Sequence, residues 1–322
     1  MTTELATPVT TRGHRTRGTV FILLASVAFA SSGPLAKPAM QAGFAPQQVA
    51  AARAVIAAVA LLVVVAIFRP GLLRVRRENW RVIVAYGLVG VGAVQLLFFL
   101  AVSRLPVGVA MLLEYTSPAL VALWVRFVRH VRLPALSWAG TALALVGLTL
   151  VAQVWDGLRL DAVGVLAGMG AALCSAGYYL IGERGAGEQH PIGMVTWGMV
   201  VGAVAISVVA PPWSLPLDRL GAAAEFGPWH LPVWTLLVTV ALVSTALAYA
   251  LSTTSLRDLP STVASVLALS EPVVATLLAW LLLRETLTAA QLVGMAVLLS
   301  GALLVQLAAR APVTPAEPMP TE

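Results

Sequence analysis

Ten strongly apolar runs, separated by short segments that carry Pro, Gly or charge, dominate the pattern of this chain. A helix that spans a bilayer needs about 20 mostly apolar residues, and each run has about that length. The pattern therefore predicts an all-α integral membrane protein with ten transmembrane helices. The predicted spans are residues 19–39, 47–68, 80–102, 106–127, 134–154, 162–182, 192–210, 231–254, 261–282 and 288–308.

A sequence repeat relates the two halves of the chain. Residues 101–151 recur at residues 255–305 after a shift of 154 positions. Matching pairs include Leu105 with Leu259, Pro118 with Pro272, Gly140 with Gly294 and Gly147 with Gly301. Each half holds five predicted helices, and this odd number makes equivalent helices cross the membrane in opposite directions. The repeat predicts two inverted five-helix repeats, residues 18–154 and residues 162–308.

The positive charges lie mainly in alternate connections between the runs. With the N-terminus inside, the inner segments hold fourteen arginines and the outer segments hold four. Because such a bias sets orientation, we expect a multi-pass protein of the cell (inner) membrane with both termini cytoplasmic. Its ends are a polar tail over residues 1–17 and a disordered tail over residues 309–322. The pI near 10.2 comes from these short basic loops, so no nucleic-acid partner is expected.

Composition excludes several classes of function. With 59% hydrophobic and 11% charged residues, the chain could not hide its apolar surface in water, so the bilayer must be its solvent. Cys174 is the only cysteine, and no two of the four histidines have metal-ligand spacing, so we expect no metal. Lys37 is the only lysine and precedes proline, which excludes a Gly-Lys-Ser/Thr nucleotide motif. No catalytic motif is found, so neither an enzyme nor a cofactor is expected.

Several short motifs lie along the spans. They are Phe29-Ala-Ser-Ser-Gly33 with Lys37, Gly43-Phe-Ala-Pro46 with Arg53, Glu114-Tyr-Thr-Ser-Pro118, Leu269-Ser-Glu-Pro272, and Trp280-Leu-Leu-Leu-Arg-Glu-Thr-Leu287 with Gly294 and Gly301. With these motifs, the chain resembles the EamA family of the drug/metabolite transporter superfamily over about residues 18–308. The first half departs from the pattern, because His130-Val131 stands in place of Arg284-Glu285 and Ser117 in place of Glu271. The resemblance implies a ten-helix transporter, not driven by ATP, that exports small metabolites, amino acids or drugs.

Two carboxylates lie beside prolines within predicted spans. Glu271 directly precedes Pro272, and Glu114 lies one turn before Pro118. Proline interrupts helix hydrogen bonding, and the freed carbonyls need partners that a water-lined cavity supplies. An ionisable group at this depth costs at least ~2.5 kcal/mol, so it faces a cavity or a partner. Both prolines are therefore predicted helix breaks, and both carboxylates are candidates for substrate binding and proton coupling. A structural ion pair is the alternative for each.

Two cations lie near the predicted outer ends of the first two helices. Arg53, about two turns into the second helix, could clamp a substrate carboxylate through two hydrogen bonds. The alternative is a structural ion pair with Glu114 or Glu271. Lys37 could contact the substrate, or it could reach the membrane interface without a role in transport.

Neutral polar side chains complete the predicted cavity, which helices 1, 3, 4, 6, 8 and 9 are expected to line. The candidate substrate-binding residues of this kind are Gln95, Tyr115, Tyr178, Tyr179 and Tyr249. Tyrosine offers an aromatic wall and one hydroxyl, which suits amphipathic metabolites. An interhelical hydrogen bond is the alternative for each residue, and the repeated glycines are expected to pack helices closely.

These features predict a secondary active transporter that exports small amino-acid-like or drug-like metabolites by alternating access, in exchange for protons. An uncoupled facilitator or an importer of small metabolites is the alternative within transport. A scaffold that transports nothing would not need carboxylates beside mid-span prolines. The expected partners are a small-molecule substrate and the lipid bilayer, and a homodimer is compatible with the sequence.

Overall fold

The computed structural model describes residues 12–105, 107–153, 161–226, 229–283 and 286–308. Most of the predicted N-terminal tail, the predicted tail 309–322 and the Arg284-Glu285 motif lie outside these residues.

The first repeat contains five helical spans. Span 1 comprises α1 (Arg12–Ala30) and α2 (Ser32–Gln41), and span 2 is α3 (Pro46–Phe68). Span 3 comprises α4 (Trp80–Ala85), a π-helix (Tyr86–Ala93) and α5 (Val94–Val102). Span 4 comprises α6 (Val107–Glu114) and α7 (Ser117–Phe127), and span 5 is α8 (Ala135–Val151).

The second repeat follows the same order. Span 6 is α9 (Ala162–Glu188), and span 7 is α10 (Pro191–Val209). Span 8 comprises α11 (Val233–Ala241), a π-helix (Leu242–Leu247) and α12 (Ala248–Ser255). Span 9 comprises α13 (Ser261–Leu267) and α14 (Ser270–Leu283), and span 10 is α15 (Ala289–Ala308).

The helical spans agree with the predicted architecture. Within the described residues, nine are long and apolar enough to cross a membrane, and α8 is a shorter apolar helix. The prediction of an all-α membrane protein with ten helices in two inverted repeats is confirmed.

Two helices extend beyond their predicted ends because charged residues in them form ion pairs. α1 begins at Arg12, inside the segment predicted as a tail, and Arg17 donates to the Asp258 carboxylate from Nε at 2.8 Å and Nη2 at 3.0 Å. α9 continues to Glu188, and Glu183 within this extension pairs with Arg129. Hydropathy alone started the first helix too late and ended the sixth too early, because both extensions are polar and their charges are paired.

The connection between spans 7 and 8 contains a small β-hairpin that the sequence pattern did not predict. β1 (Ala223–Phe226) pairs antiparallel with β2 (Trp229–Pro232), with Ala223 opposite Pro232. Ala224 and Phe226 are buried and belong to a cluster that also contains Phe44 and Val233. The hairpin therefore covers the ends of spans 1, 2 and 8 at one membrane face.

Backbone irregularity is concentrated in particular spans. Spans 2, 5, 6, 7 and 10 are continuous α-helices. Span 1 is interrupted at Ser31, spans 4 and 9 are each interrupted near the middle, and spans 3 and 8 each contain a π-helix. At membrane depth such backbone is tolerated where it is buried in protein or lines a cavity, so these spans mark the interior of the bundle.

Spans 5 and 10 cross at their repeated glycines. A Cβ atom added to Gly140 would lie 2.7 Å from the Gly301 carbonyl oxygen, and one added to Gly147 would lie 2.7 Å from the Gly294 carbonyl oxygen. Only glycine allows backbones to approach this closely. Because Gly140 is equivalent to Gly294 and Gly147 to Gly301, the two contacts are exchanged by the internal two-fold relation.

Candidate functional site

Glu114 and Glu271 both lie at interruptions of their helices. α6 ends at Glu114, and Pro118 lacks the N–H that would bond to the Glu114 carbonyl in an unbroken helix. In span 9, Pro272 likewise removes the donor for the Ala268 carbonyl, which instead accepts from the Glu271 N–H at 2.9 Å. Each carboxylate therefore belongs to a turn in which helix hydrogen bonding is incomplete.

The two carboxylates lie within electrostatic range of each other. Each interacts electrostatically with Arg53, and the charge of Glu271 acts on Glu114. The Tyr115 hydroxyl is oriented toward the Glu271 carboxylate and interacts with it. Glu114, Tyr115 and Glu271 are each partly buried. The two broken helices thus place two acidic groups and one phenol in the same part of the bundle.

Arg53 is held by neutral partners. Its Nε and Nη2 atoms donate to Gln95 Oε1 at 3.1 and 2.8 Å, and its Nη1 atom donates to Ser32 Oγ at 2.6 Å. Gln95 is oriented in turn by its donation from Nε2 to the Val91 carbonyl at 3.1 Å. Among the described residues, no ion pair within 4.0 Å joins Arg53 to Glu114 or Glu271. The structural ion pair considered for Arg53 is therefore not formed in this conformation.

All five tyrosines of the chain lie in one group. The Tyr178 ring centroid lies 5.4 Å from that of Tyr86, 5.0 Å from that of Tyr179 and 5.6 Å from that of Tyr249. Tyr115 joins the group through its interaction with Tyr179, since both rings pack against the same hydrophobic cluster. The contacts of Tyr178 with Tyr179 and Tyr249 are edge-to-face, a favourable geometry for aromatic pairs, so the group forms a continuous aromatic wall.

Hydroxyl contacts tie the aromatic wall to span 8 and to the π-helix of span 3. Tyr86 OH lies 2.7 Å from Thr253 Oγ1, and Tyr178 OH donates to Ser252 Oγ at 2.8 Å. Tyr249 OH donates to the Gly90 carbonyl at 3.3 Å. A Cβ atom at Gly90 would lie 2.9 Å from the Tyr178 ring, so the absence of a side chain lets both tyrosines approach span 3.

The structure brings together every residue predicted to bind substrate: Arg53, Gln95, Glu114, Tyr115, Tyr178, Tyr179, Tyr249 and Glu271. Sequence reasoning did not single out Phe29, whose ring lies 5.1 Å from that of Tyr249, nor Ser32 and Tyr86. Phe29 and Ser32 belong to a motif that was recognised, and Tyr86 is the one tyrosine left out. Lys37 lies in α2 with an exposed side chain.

The group can bind both ends of a zwitterion. A guanidinium binds a carboxylate, and two carboxylates with a phenol bind an ammonium group. Within the described residues, no cluster of three or more His, Cys, Asp or Glu side chains could hold a metal ion.

Comparison with known proteins finds relatives that are named as transporters. Threonine/homoserine exporter RhtA of Escherichia coli (strain K12) is 31% identical over 247 residues, which cover 76% of this chain and 78% of RhtA. Uncharacterized transporter YwfM of Bacillus subtilis (strain 168) is 28% identical over 297 residues, covering 90% of this chain and 94% of YwfM. A solved crystal structure with 19% sequence identity aligns over 92% of this chain and 98% of its own with a TM-score of 0.75, which shows the fold alone.

A family model matches the chain twice, once in each repeat. The model describes the EamA-like transporter family, and its matches cover residues 16–153 and 162–307. The resemblance found in the sequence motifs is thereby confirmed. The chain is a multi-pass membrane protein, and it belongs to the EamA-like transporter family.

Proposed function

We propose that this protein is a secondary active exporter of small amino-acid-like metabolites, which works by alternating access in exchange for protons. Its location is the inner membrane, with both termini cytoplasmic. The observation that carries the proposal is the group formed by Arg53, Glu114 and Glu271 at the interrupted middle of the bundle. The similarity to RhtA, an exporter of threonine and homoserine by name, supports this substrate class.

Substrate recognition in this proposal uses the two ends of an amino acid. Arg53 binds the α-carboxylate, because its guanidinium is already oriented by Gln95 and Ser32. Glu271, with the Tyr115 hydroxyl beside it, binds the ammonium group, and Glu114 contributes a second negative charge. The tyrosine rings contact the amino-acid side chain, and their hydroxyls accept or donate hydrogen bonds to a polar one.

Proton exchange follows from the charge balance of the group. One guanidinium and two carboxylates carry a net charge of about −1 when all three are ionised. A proton on one carboxylate restores neutrality and is favoured in the empty site, because buried unbalanced charge is costly. A zwitterionic substrate adds no net charge, but its ammonium group needs an ionised carboxylate as a partner. The proton and the substrate ammonium group therefore compete for the same carboxylate. The entry of a proton from one membrane face is thereby coupled to the release of substrate to the same face.

The test is flux in proteoliposomes that contain the purified protein. With radiolabelled threonine or homoserine inside, we expect efflux to accelerate several-fold when the exterior is acidified, since external protons replace the released substrate. Glu271→Gln is expected to abolish this acceleration. Glu225→Gln is the matched control, because Glu225 is an exposed carboxylate of the β-hairpin far along the chain from the group.

The outcomes separate the alternatives. If the rate of efflux through the unmodified protein does not depend on the pH gradient, the protein is an uncoupled facilitator. Net transport of the labelled amino acid toward the cytoplasmic side of the protein would indicate an importer. No flux of any amino acid would favour a scaffold, and full acceleration in Glu271→Gln would exclude this residue as the coupling group.

A further inference from the structure

Spans 4 and 9 pack together near one membrane face. α7, the second half of span 4, packs against α13, the first half of span 9. Because the direction of the spans alternates along the chain, the end of α7 and the start of α13 lie at the face where α1 begins. This face is called here the N-terminal face.

The internal repeat predicts an equivalent contact between the other halves of spans 4 and 9. The shift of 154 positions equates Ser117, which begins α7, with Glu271 in the first turn of α14, and equates Val107 of α6 with Ser261 of α13. A fully symmetric molecule would pack α6 against α14 as closely as α7 packs against α13. In the part of the chain that the structure describes, α6 and α14 make no comparable contact. The two-fold relation is therefore broken, with spans 4 and 9 closed together at the N-terminal face alone.

Buried hydroxyl groups reinforce the closed face. The contacts of Tyr86 with Thr253 and of Tyr178 with Ser252 join spans 3 and 6 to the last turns of span 8. These four residues are 0%, 0%, 6% and 1% exposed, in that order. Arg53, Glu114 and Glu271, by contrast, keep part of their surface exposed. Access to the group is thus blocked from the N-terminal face.

Glu183 connects three spans at this closed face. It lies near the end of α9, where its carboxylate oxygens accept from the Ser261 N–H and the Ser261 hydroxyl, each at 3.1 Å. The same carboxylate forms an ion pair with Arg129, which follows α7. One side chain of span 6 thereby binds the first residue of span 9 and the segment after span 4.

Asp258 forms a second ion pair at the same face. Its carboxylate is 4% exposed and binds Arg17, which joins span 1 to the connection between spans 8 and 9. α1 already packs along α12, α13 and α14, so this ion pair lies within one packed unit. The contacts of Glu183 instead connect span 9 to spans 4 and 6. They therefore must break, together with the hydroxyl contacts of span 8, if the N-terminal face opens.

We infer that Glu183 is a positioning residue of the transport cycle, which holds the N-terminal face closed through Ser261 and Arg129. The inference rests on the proposed alternating access, but it needs no particular substrate or coupling ion. Release of Glu183 lets α13 separate from α7 and α9, which opens a path from the N-terminal face to the Arg53 group.

The experiment measures access to the closed region with a thiol reagent, independently of any transport. Cys174 is the only cysteine, so Cys174→Ser gives a background without thiols. Ser252→Cys then places a thiol of nearly the same size in the seal. A membrane-impermeant methanethiosulfonate is added from the N-terminal face, using sealed vesicles of each orientation. Glu183→Gln is compared with Glu188→Gln, which removes the exposed ion pair of Glu188 with Arg184 one turn further along α9.

We expect Glu183→Gln to raise the labelling rate from the N-terminal face by roughly 5- to 10-fold, as expected when a two-state equilibrium is shifted. Glu188→Gln should leave the rate unchanged. Ser261→Ala, which removes a single hydroxyl, should also raise the labelling rate. Agreement between the two variants would show that the effect of Glu183→Gln does not come from misfolding. Equal labelling rates in all variants, or a rise from both faces together, would overturn the inference. Because labelling needs no substrate, the inference can hold even where the amino-acid flux described above is not found.

Discussion

The Arg53 guanidinium donates two hydrogen bonds to a single acceptor, Gln95 Oε1. Gln95 is 6% exposed and lies just after the π-helix of span 3. Its amide nitrogen donates a hydrogen bond to the Val91 carbonyl. Arg53 thus has a fixed orientation before any ligand is bound. A binding group that is already oriented loses less conformational entropy on binding, which raises affinity.

Replacement of Gln95 should weaken substrate binding through Arg53. Gln95→Leu keeps the approximate volume of the side chain but removes the acceptor, and a hydrogen bond to a charged group is worth about 1.5–3 kcal/mol. We expect KM for threonine to rise about tenfold or more, with a smaller change in maximal rate, in initial-rate measurements on proteoliposomes. Gln41→Leu, at an exposed position in α2, should leave KM unchanged.

Arg53→Lys distinguishes the geometry of Arg53 from its charge. Lysine keeps the positive charge but cannot form two parallel bonds to a carboxylate while retaining the contacts to Gln95 and Ser32. We expect KM for amino acids to rise at least about tenfold. Binding that is unchanged in this variant, measured by ligand-induced thermal stabilisation, would mean that Arg53 supplies charge alone.

Gly147→Ala should destabilise the protein through the contact between spans 5 and 10. The added Cβ atom would lie 2.7 Å from the Gly294 carbonyl oxygen, so the helices must move apart. Overpacking of this kind typically costs about 1–3 kcal/mol, and a lower midpoint of thermal unfolding in detergent is expected. Gly187→Ala is the control, since no atom lies within 4 Å of its added Cβ atom. An unchanged midpoint in Gly147→Ala would show that this contact is loose in the membrane.

Tags on the two ends of the chain should be accessible from the same membrane face. Ten spans return the chain to its starting side, and the excess of arginine in alternate connections favours the cytoplasm for both ends. Protease digestion of a tag on either end should therefore occur in inverted vesicles and not in sealed cells. Cleavage of one tag in each preparation would exclude an even number of spans.

Hydropathy was sufficient to predict the spans because lipid requires long apolar helices, whatever their partners. It could not place the starts and ends of helices that carry paired charges. Arg17 lies within α1 because Asp258, far away in the sequence, neutralises it. The β-hairpin was missed for a related reason, since the cluster that buries Phe226 includes residues of spans 1, 2 and 8, which are distant in sequence.

The candidate site was accessible to sequence reasoning because ionisable and phenolic side chains are scarce within the spans. The prolines at positions 118 and 272 marked the turns from which Glu114 and Glu271 project. The partners of each group were not predictable, because they depend on how the bundle packs. Arg53 binds Gln95 and Ser32 where an ion pair was considered, and Ser32 lies on a different span with no charge to reveal it.

The glycine crossing of α8 and α15 has a further consequence. Exchange of the two repeats converts the contact of Gly140 with Gly301 into that of Gly294 with Gly147, so the crossing maps onto itself. A rearrangement in which each repeat takes the shape of the other would leave this crossing unaltered. It can therefore serve as a fulcrum about which the remaining helices tilt, and it would stay in place whichever side of the bilayer the protein faces.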